Sequence, residues 1–122
     1  FLKKGKACLY APDQDYGFKN SIFIDFFGNK ALTVKFPYIA VRRTNCDVYL
    51  FSLEKRDHKY FANFKKLNVF GKNLEEDLRT INFEIEEFIR KNPDNYLWSH
   101  RRFKNRPDGE ESFYPNNLLR KR

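Results

Sequence analysis

Residues 73–93, NLEEDLRTINFEIEEFIRKNP, constrain this chain more than any other stretch. Leu74, Leu78, Ile81, Ile85, Phe88 and Ile89 recur at the spacing of one helical face, and polar residues fill the positions between them. Asn73 can cap the first turn with Glu76 at its third position, and Pro93 cannot continue the helix. Such a helix has to lay its apolar stripe on another layer, so the question becomes what that layer is.

Two short apolar runs read as strands. ACLYA at residues 7–11 is bounded by charge and by Pro12, and IFIDFF at residues 22–27 is closed by Gly28. DVYLFSL at residues 47–53 and the run at residues 60–64 predict a hairpin turning near Asp57 and His58. Residues 31–44 are ambiguous. Leu32, Phe36, Ile39 and Ala40 have helical spacing and Pro37 suits a first turn, which predicts a short helix from about Phe36 to Arg43. Residues 1–6 fit the last turn of a helix stopped by Gly5. Strands interleaved with helices give an α/β fold, and 122 residues suit one domain. Residues 1–115 are assigned to it, and residues 116–122 form a polar, basic tail expected to be disordered.

The formal charge is +8, which favours polyanionic partners without choosing among nucleic acid, lipid headgroups, phosphorylated metabolites and acidic proteins. No glycine-aromatic pattern of an RNA-recognition sheet, no helix-turn-helix and no GXXG loop is present, so no nucleic-acid partner is expected. No apolar run approaches the ~20 residues of a spanning helix. Cys8 and Cys46 read as reduced thiols. Neither lies near a histidine in sequence, no serine sits in G-x-S-x-G, and Cys8, Cys46, His58 and His100 lack metal-ligand spacing. No metal and no cofactor are expected.

Two stretches carry polar chemistry. In PDQDYG, residues 12–17, Asp13 and Asp15 flank Gln14 at the expected end of a strand, where carboxylates can orient a base, accept from a hydroxyl, or simply hold a turn. In SHRRF, residues 99–103, Arg101 and Arg102 can grip phosphate and His100 can add a donor. The plainer alternative has Trp98 and Phe103 packed on the core and both arginines in solvent. His58, beside Asp57 in a turn, reads as a surface residue.

Taken in order, LKKG at residues 2–5, YAPDQDYG at 10–17, FFG at 26–28, and YLWSHRRFK at 96–104 with Arg106 and Pro107 resemble bacterial lipid A biosynthesis acyltransferases. The likeness runs from Leu2 to about Tyr114. It implies the carboxyl-terminal portion of a lysophospholipid acyltransferase-like fold, a mixed sheet with flanking helices. It implies transfer of a fatty acyl chain from acyl carrier protein, as co-substrate, to a hydroxyl of a Kdo-bearing lipid A precursor in lipopolysaccharide biosynthesis. The expected place is the cytoplasmic face of the bacterial inner membrane, reached through a part of the protein outside these residues.

The chemistry of that family would use a histidine in H-x-x-x-x-D/E. Here Asn63 stands five residues after His58, and Asn105 five after His100, so neither histidine fits. Together with the absence of methionine, this leads us to expect a piece of the enzyme lacking the base and inactive by itself. By position the resemblance gives Asp13 a supporting catalytic place, and gives Gln14, Asp15, Tyr16, Lys19, Ser21, His100, Arg101 and Arg102 to the substrate side. The arginine pair would support the phosphorylated, sugar-acid end of the acceptor or brace the site. Trp98 is expected to be its packed anchor. One departure stands out: where the family has T-T-T-G after its FFG strand, this chain has Thr33, Val34, Lys35 and Phe36. The remaining alternatives are an acyltransferase with another phospholipid or glycolipid acceptor, and a basic nucleic-acid-binding module.

Overall fold

The computed structural model describes residues 1–115, so the expected disordered tail at residues 116–122 lies outside the described residues. A 3-10 turn at Leu2–Lys4 ends at Gly5, whose φ of 71° gives the left-handed stop expected of it. Then come β1 (Ser21–Phe26), β2 (Asn29–Val34), α1 (Phe36–Thr44), β3 (Val48–Arg56), β4 (Lys59–Leu67) and α2 (Leu74–Lys91), followed by a second 3-10 turn at Pro93–Asn95. The α/β expectation holds. The strands form two separate antiparallel pairs, β1 with β2 and β3 with β4.

Both hairpins close through two residues at positive φ: Phe27 and Gly28 in the first, Asp57 and His58 in the second. Two left-handed residues are what a tight turn matched to strand twist requires. A phenylalanine at φ 50° needs support, and α2 supplies it. Glu86 accepts a 2.8 Å hydrogen bond from the Phe27 N–H, and the Arg90 guanidinium lies 4.9 Å from the centre of the Phe27 ring.

The α2 helix behaves as its pattern dictates. The Asn73 side chain accepts from the N–H groups of Glu75 and Glu76 at 3.0 and 3.3 Å, and Leu78, Ile81, Ile85 and Ile89 are buried. These four pack with Ile24, Phe26 and Ala31 of the first hairpin, Val41 of α1, and Leu67 and Val69. Each such aliphatic side chain stabilises by about 1.5–3 kcal/mol as an upper figure.

Two sequence expectations fail here. Residues 7–11 are not a strand: they have no strand partner among the described residues, and Leu9 stays 82% exposed. Conversely, β2 was hidden, because most of it falls within the ambiguous residues 31–44. Ala31, Leu32, Thr33 and Val34 are all buried, so no alternation of apolar and polar residues marks them as strand.

The connection from β4 to α2 is pinned by Asp77, which is 4% exposed and accepts from the N–H groups of Phe70 at 3.0 Å and Gly71 at 2.6 Å. Gly71 has φ +68°, and a Cβ there would lie 2.8 Å from the Arg42 backbone nitrogen of α1. Backbone cannot yield as a side-chain tip can. Gly71→Ala is therefore expected to destabilise by roughly 2–4 kcal/mol in urea unfolding, against about 1 kcal/mol for Gly109→Ala. Gly109 has φ +82° with open space around it. Equal losses at the two positions would refute the close-approach account.

Candidate functional site

The loop at residues 12–17 is held by the block at residues 100–106 and not by a strand. Asp15 is 3% exposed, and its backbone N–H donates to His100 Nε2 at 3.0 Å. Its carboxylate accepts from Gly17 N–H (2.9 Å), Asn105 Nδ2 (2.8 Å) and Asn105 N–H (3.2 Å). Three donors offset the cost of burying that charge. The first is an Asx-type turn bond, as the PDQDYG composition suggests, while the other two come from the far end of the chain.

His100 is therefore neutral in this arrangement, with Nε2 accepting and the proton assigned to Nδ1. Burial lowers its pKa first, and Lys104 and Arg102 lower it further, against the Asp13 and Asp15 carboxylates. Protonation would set Nε2–H against the Asp15 N–H.

Arg102 is 2% exposed. It donates from Nη1 to the Leu32 carbonyl and from Nη2 to Thr33 Oγ1 at 2.9 Å, and its guanidinium lies 5.2 Å from the centre of the Phe26 ring. Nε has no hydrogen-bond partner among the described residues. Burial lowers its pKa, while Tyr96, Asp15 and Asp13 act the other way. Thr33 Oγ1 also accepts from Asn82 Nδ2 at 3.2 Å, and the same Nδ2 reaches the Asp25 carbonyl at 2.9 Å. The arginine is thus tied through β2 to α2.

The plainer alternative, with both arginines in solvent, fails for Arg102, and the expectation of Trp98 as a packed anchor fails too. Trp98 is 62% exposed, its indole N–H bonded to the Pro93 carbonyl at 2.7 Å. Phe103 takes the packing role, half-buried against the core with its ring 6.1 Å from that of Phe26. The chain follows an irregular path here after Pro93 ends α2, and that path turns Arg102 inward.

The other positions singled out from sequence are spread around this latch. Asp13 is half-buried; its carboxylate comes close enough to Tyr96 to oppose ionisation there, short of a hydrogen bond within the usual limits. Burial is the larger cause of the raised Tyr96 pKa. Gln14 is half-buried and Tyr16 exposed, the Tyr16 hydroxyl donating to the Ala11 carbonyl at 3.2 Å. Arg101 is half-buried, and its side chain makes no hydrogen bond or ion pair among the described residues. Lys19 is exposed; Ser21 is buried at the start of β1, its hydroxyl 3.5 Å from the Lys19 carbonyl, and no hydrogen bond joins either to the latch. His58 is in the β3–β4 turn, exposed.

Sequence reasoning missed Asn105, Tyr96 and Arg106. Arg106 donates to the Lys30 carbonyl at 2.7 Å, pairs with Glu110, and lies 4.1 Å from the centre of the Phe113 ring. The repeated cations from Arg101 to Arg106 were the signal, but spacing along an irregular segment does not say which point inward. Cys8 and Cys46 are both free thiols. No helix among the described residues is long and apolar enough to cross a membrane. Among the described residues no group of three or more His, Cys, Asp and Glu could hold a metal ion.

The α/β frame thus carries an acidic loop latched to a block that holds a histidine and a buried arginine. Residues 1–105 match the family described as bacterial lipid A biosynthesis acyltransferase, and the chain belongs to that family. It is 38% identical over 117 residues to the lipid A biosynthesis palmitoleoyltransferase of Escherichia coli K12, covering 93% of this chain and 38% of the relative. It is 34% identical over 118 residues to the lipid A biosynthesis lauroyltransferase of the same strain, covering 93% and 39%. A lipid A biosynthesis acyltransferase of Haemophilus influenzae is 29% identical over 114 residues, covering 92% and 36%. The chain thus spans less than two fifths of the length of these relatives.

Two outcomes follow from the geometry. Arg102→Ala removes a buried side chain and takes its hydrogen bonds from the Leu32 carbonyl and Thr33 Oγ1, so it is expected to cost about 2–4 kcal/mol, while Arg101→Ala stays within about 0.5 kcal/mol. Denaturant unfolding of both variants checks this, and equal effects would contradict the burial difference. The second concerns pH. Because the folded-state pKa of His100 is lowered, its contribution is fully present above the unfolded value of about 6.5 and is lost as pH falls below it. His100→Gln, which keeps an acceptor for Asp15, should flatten the fall in Tm between about pH 7 and pH 5. An unchanged slope would show that His100 is not the group responsible.

Proposed function

We propose that the whole protein moves a fatty acyl chain from acyl carrier protein to a hydroxyl of a lipid A precursor during lipopolysaccharide biosynthesis, at the cytoplasmic face of the bacterial inner membrane. Family membership and relatives named for lipid A palmitoleoyl and lauroyl transfer support the reaction class. The observation that carries it into this chain is the latch: Asp15 joins the PDQDYG loop to His100 and Asn105, so the two stretches most characteristic of the family form one site.

The parts of that site differ in what they can do. Arg102, with both terminal nitrogens engaged by Leu32 and Thr33, braces β2 against the block. Arg101 has no competing partner among the described residues, and its guanidinium suits a phosphate or sugar-acid carboxylate of the acceptor. Asp13, whose carboxylate bears on Tyr96 and His100, takes the supporting catalytic place in this reading. Gln14, Tyr16, Lys19 and Ser21 belong to the acceptor side of this reading, although Ser21 is buried. The basic balance of the chain suits lipid phosphates and an acidic carrier protein. The histidine base lies outside these residues in this reading, because neither His58 nor His100 has an acid at the fifth following position.

The test uses the full-length enzyme with an acyl carrier protein thioester and a lipid A precursor. Arg101→Ala should lower kcat/KM for the acceptor by roughly 10- to 100-fold, chiefly through KM, while fold stability is kept. Residues 1–122 purified alone should give no turnover. Transfer to a glycerophospholipid in preference to the lipid A precursor would replace this acceptor with another, and turnover by residues 1–122 would refute the placement of the base.

A further inference from the structure

One buried polar atom at the site has no use in the fold. The Tyr96 hydroxyl is shut off from solvent and has no hydrogen-bond partner among the described residues. Leaving a buried donor unpaired is costly, and a phenylalanine would fill the same space without that cost. The ring is accounted for, since it packs against the core and meets the Trp98 ring edge-on with centres 5.0 Å apart. That packing leaves the hydroxyl unexplained. It is enclosed by the described residues, so no further part of the protein is needed to cover it.

The latch explains what lies beside it. The Leu97 carbonyl accepts from the His100 N–H at 3.1 Å, and His100 Nε2 accepts from the Asp15 N–H at 3.0 Å, so a turn that starts next to Tyr96 carries the acidic loop. Asp13 lies two residues before Asp15 on that loop, half-buried, and its carboxylate makes no hydrogen bond or ion pair among the described residues. Most donors of the block are committed elsewhere: both terminal nitrogens of Arg102 to Leu32 and Thr33, and Asn105 to Asp15. The Tyr96 hydroxyl and Arg102 Nε are left over, and Asp13 approaches the phenol as a hydrogen-bond acceptor but the guanidinium only through space. An unused phenol thus stands behind an unused carboxylate.

We propose that Tyr96 is a positioning residue for the reaction: its hydroxyl donates to Asp13 and fixes the direction in which that carboxylate faces the substrate. This rests on the acyl-transfer reading and on the supporting place it gives Asp13. Burial first, and Asp13 with it, hold the phenol in its protonated form against the pull of Arg102, so the group remains a donor at neutral pH. Hydrogen bonds at catalytic groups are often long before substrate binds and tighten in the reacting complex, which suits the present gap between the two side chains. Tyr96 itself is too enclosed to touch substrate, and its effect passes through Asp13.

The experiment uses the full-length enzyme with an acyl carrier protein thioester and a lipid A precursor. Tyr96→Phe keeps the ring and removes only the hydroxyl. Because that oxygen supports nothing in the fold, Tm should stay level or rise, while kcat falls roughly 10- to 100-fold and KM for both substrates moves by no more than about twofold. In an Asp13→Ala background the same change should alter kcat by less than about twofold, because the group through which Tyr96 acts is gone. An unchanged kcat overturns the proposal, as does a fall in Tm large enough to account for the lost turnover, or the same fold-loss in both backgrounds. Absence of turnover by the unsubstituted enzyme with every acceptor tried would instead overturn the acyl-transfer reading, and this inference with it, so the unsubstituted enzyme tells the two failures apart.

Discussion

A buried guanidinium organises this structure. Arg102 gives up nearly all its hydration and meets neutral oxygens, the Leu32 carbonyl and Thr33 Oγ1, with the Phe26 ring beneath. Burial of a charge on such terms is tolerated only where those oxygens are held in position to accept its hydrogen bonds. Thr33 is placed only if β2 pairs with β1 in its observed register, Ile22 opposite Thr33. A slip of one residue would turn Thr33 to the other face and leave Arg102 without that acceptor. Asn82 of α2, bonded to Thr33 and to the Asp25 carbonyl, checks the same register from the other side. Residues around positions 25, 33, 82 and 102 are thus interdependent although far apart in sequence.

The latch around Asp15 depends on that frame. With Arg102 buried, the neighbouring residues His100 and Asn105 are held near the loop at residues 12–17, which no strand positions. This explains how an acidic loop can be buried at one residue and open at the next: Asp15 is enclosed by N–H donors while Tyr16 projects into solvent. It also makes His100 a listener and not a base in this arrangement, since its Nε2 lone pair is already used by a backbone donor.

What the sequence showed depended on whether a residue's role was local. The α2 helix was legible because cap, apolar spacing and proline stop lie within one stretch, and the β3–β4 hairpin because its strand formers flank an evident turn. The first hairpin was half legible. IFIDFF announced β1, but β2 is enclosed by α2 and by Arg102, so Thr33 stands at a buried position that pattern reasoning expects to be apolar. ACLYA misled for the opposite reason: its apolar side chains suggested burial, and Leu9 and Tyr10 remain exposed. At the site, the two stretches were found but not their geometry. Side-chain size favoured Trp98 as the anchor and charge favoured solvent for Arg102, and the irregular path after Pro93 reversed both.

Thr33 also bears on the one departure from the family's pattern. It is the threonine retained at that place, and its hydroxyl is fully used: it donates to the Ala31 carbonyl and accepts from Arg102 and Asn82. Packing alone accounts for its presence, so no contact with an acceptor need be invoked. The positions that follow are different in kind. Val34 completes β2, Lys35 precedes the first turn of α1, and Phe36 is 40% exposed with its ring 4.9 Å from Tyr10, which in turn stacks on Tyr16 at 5.9 Å. Phe36 stands where the resemblance has a glycine, and it puts an aromatic surface beside the acidic loop. Within the proposed reaction, differences in acceptor or acyl-chain preference from the relatives would arise along Tyr16, Tyr10 and Phe36, where the rings are exposed, and not at Thr33, where the hydroxyl is already committed.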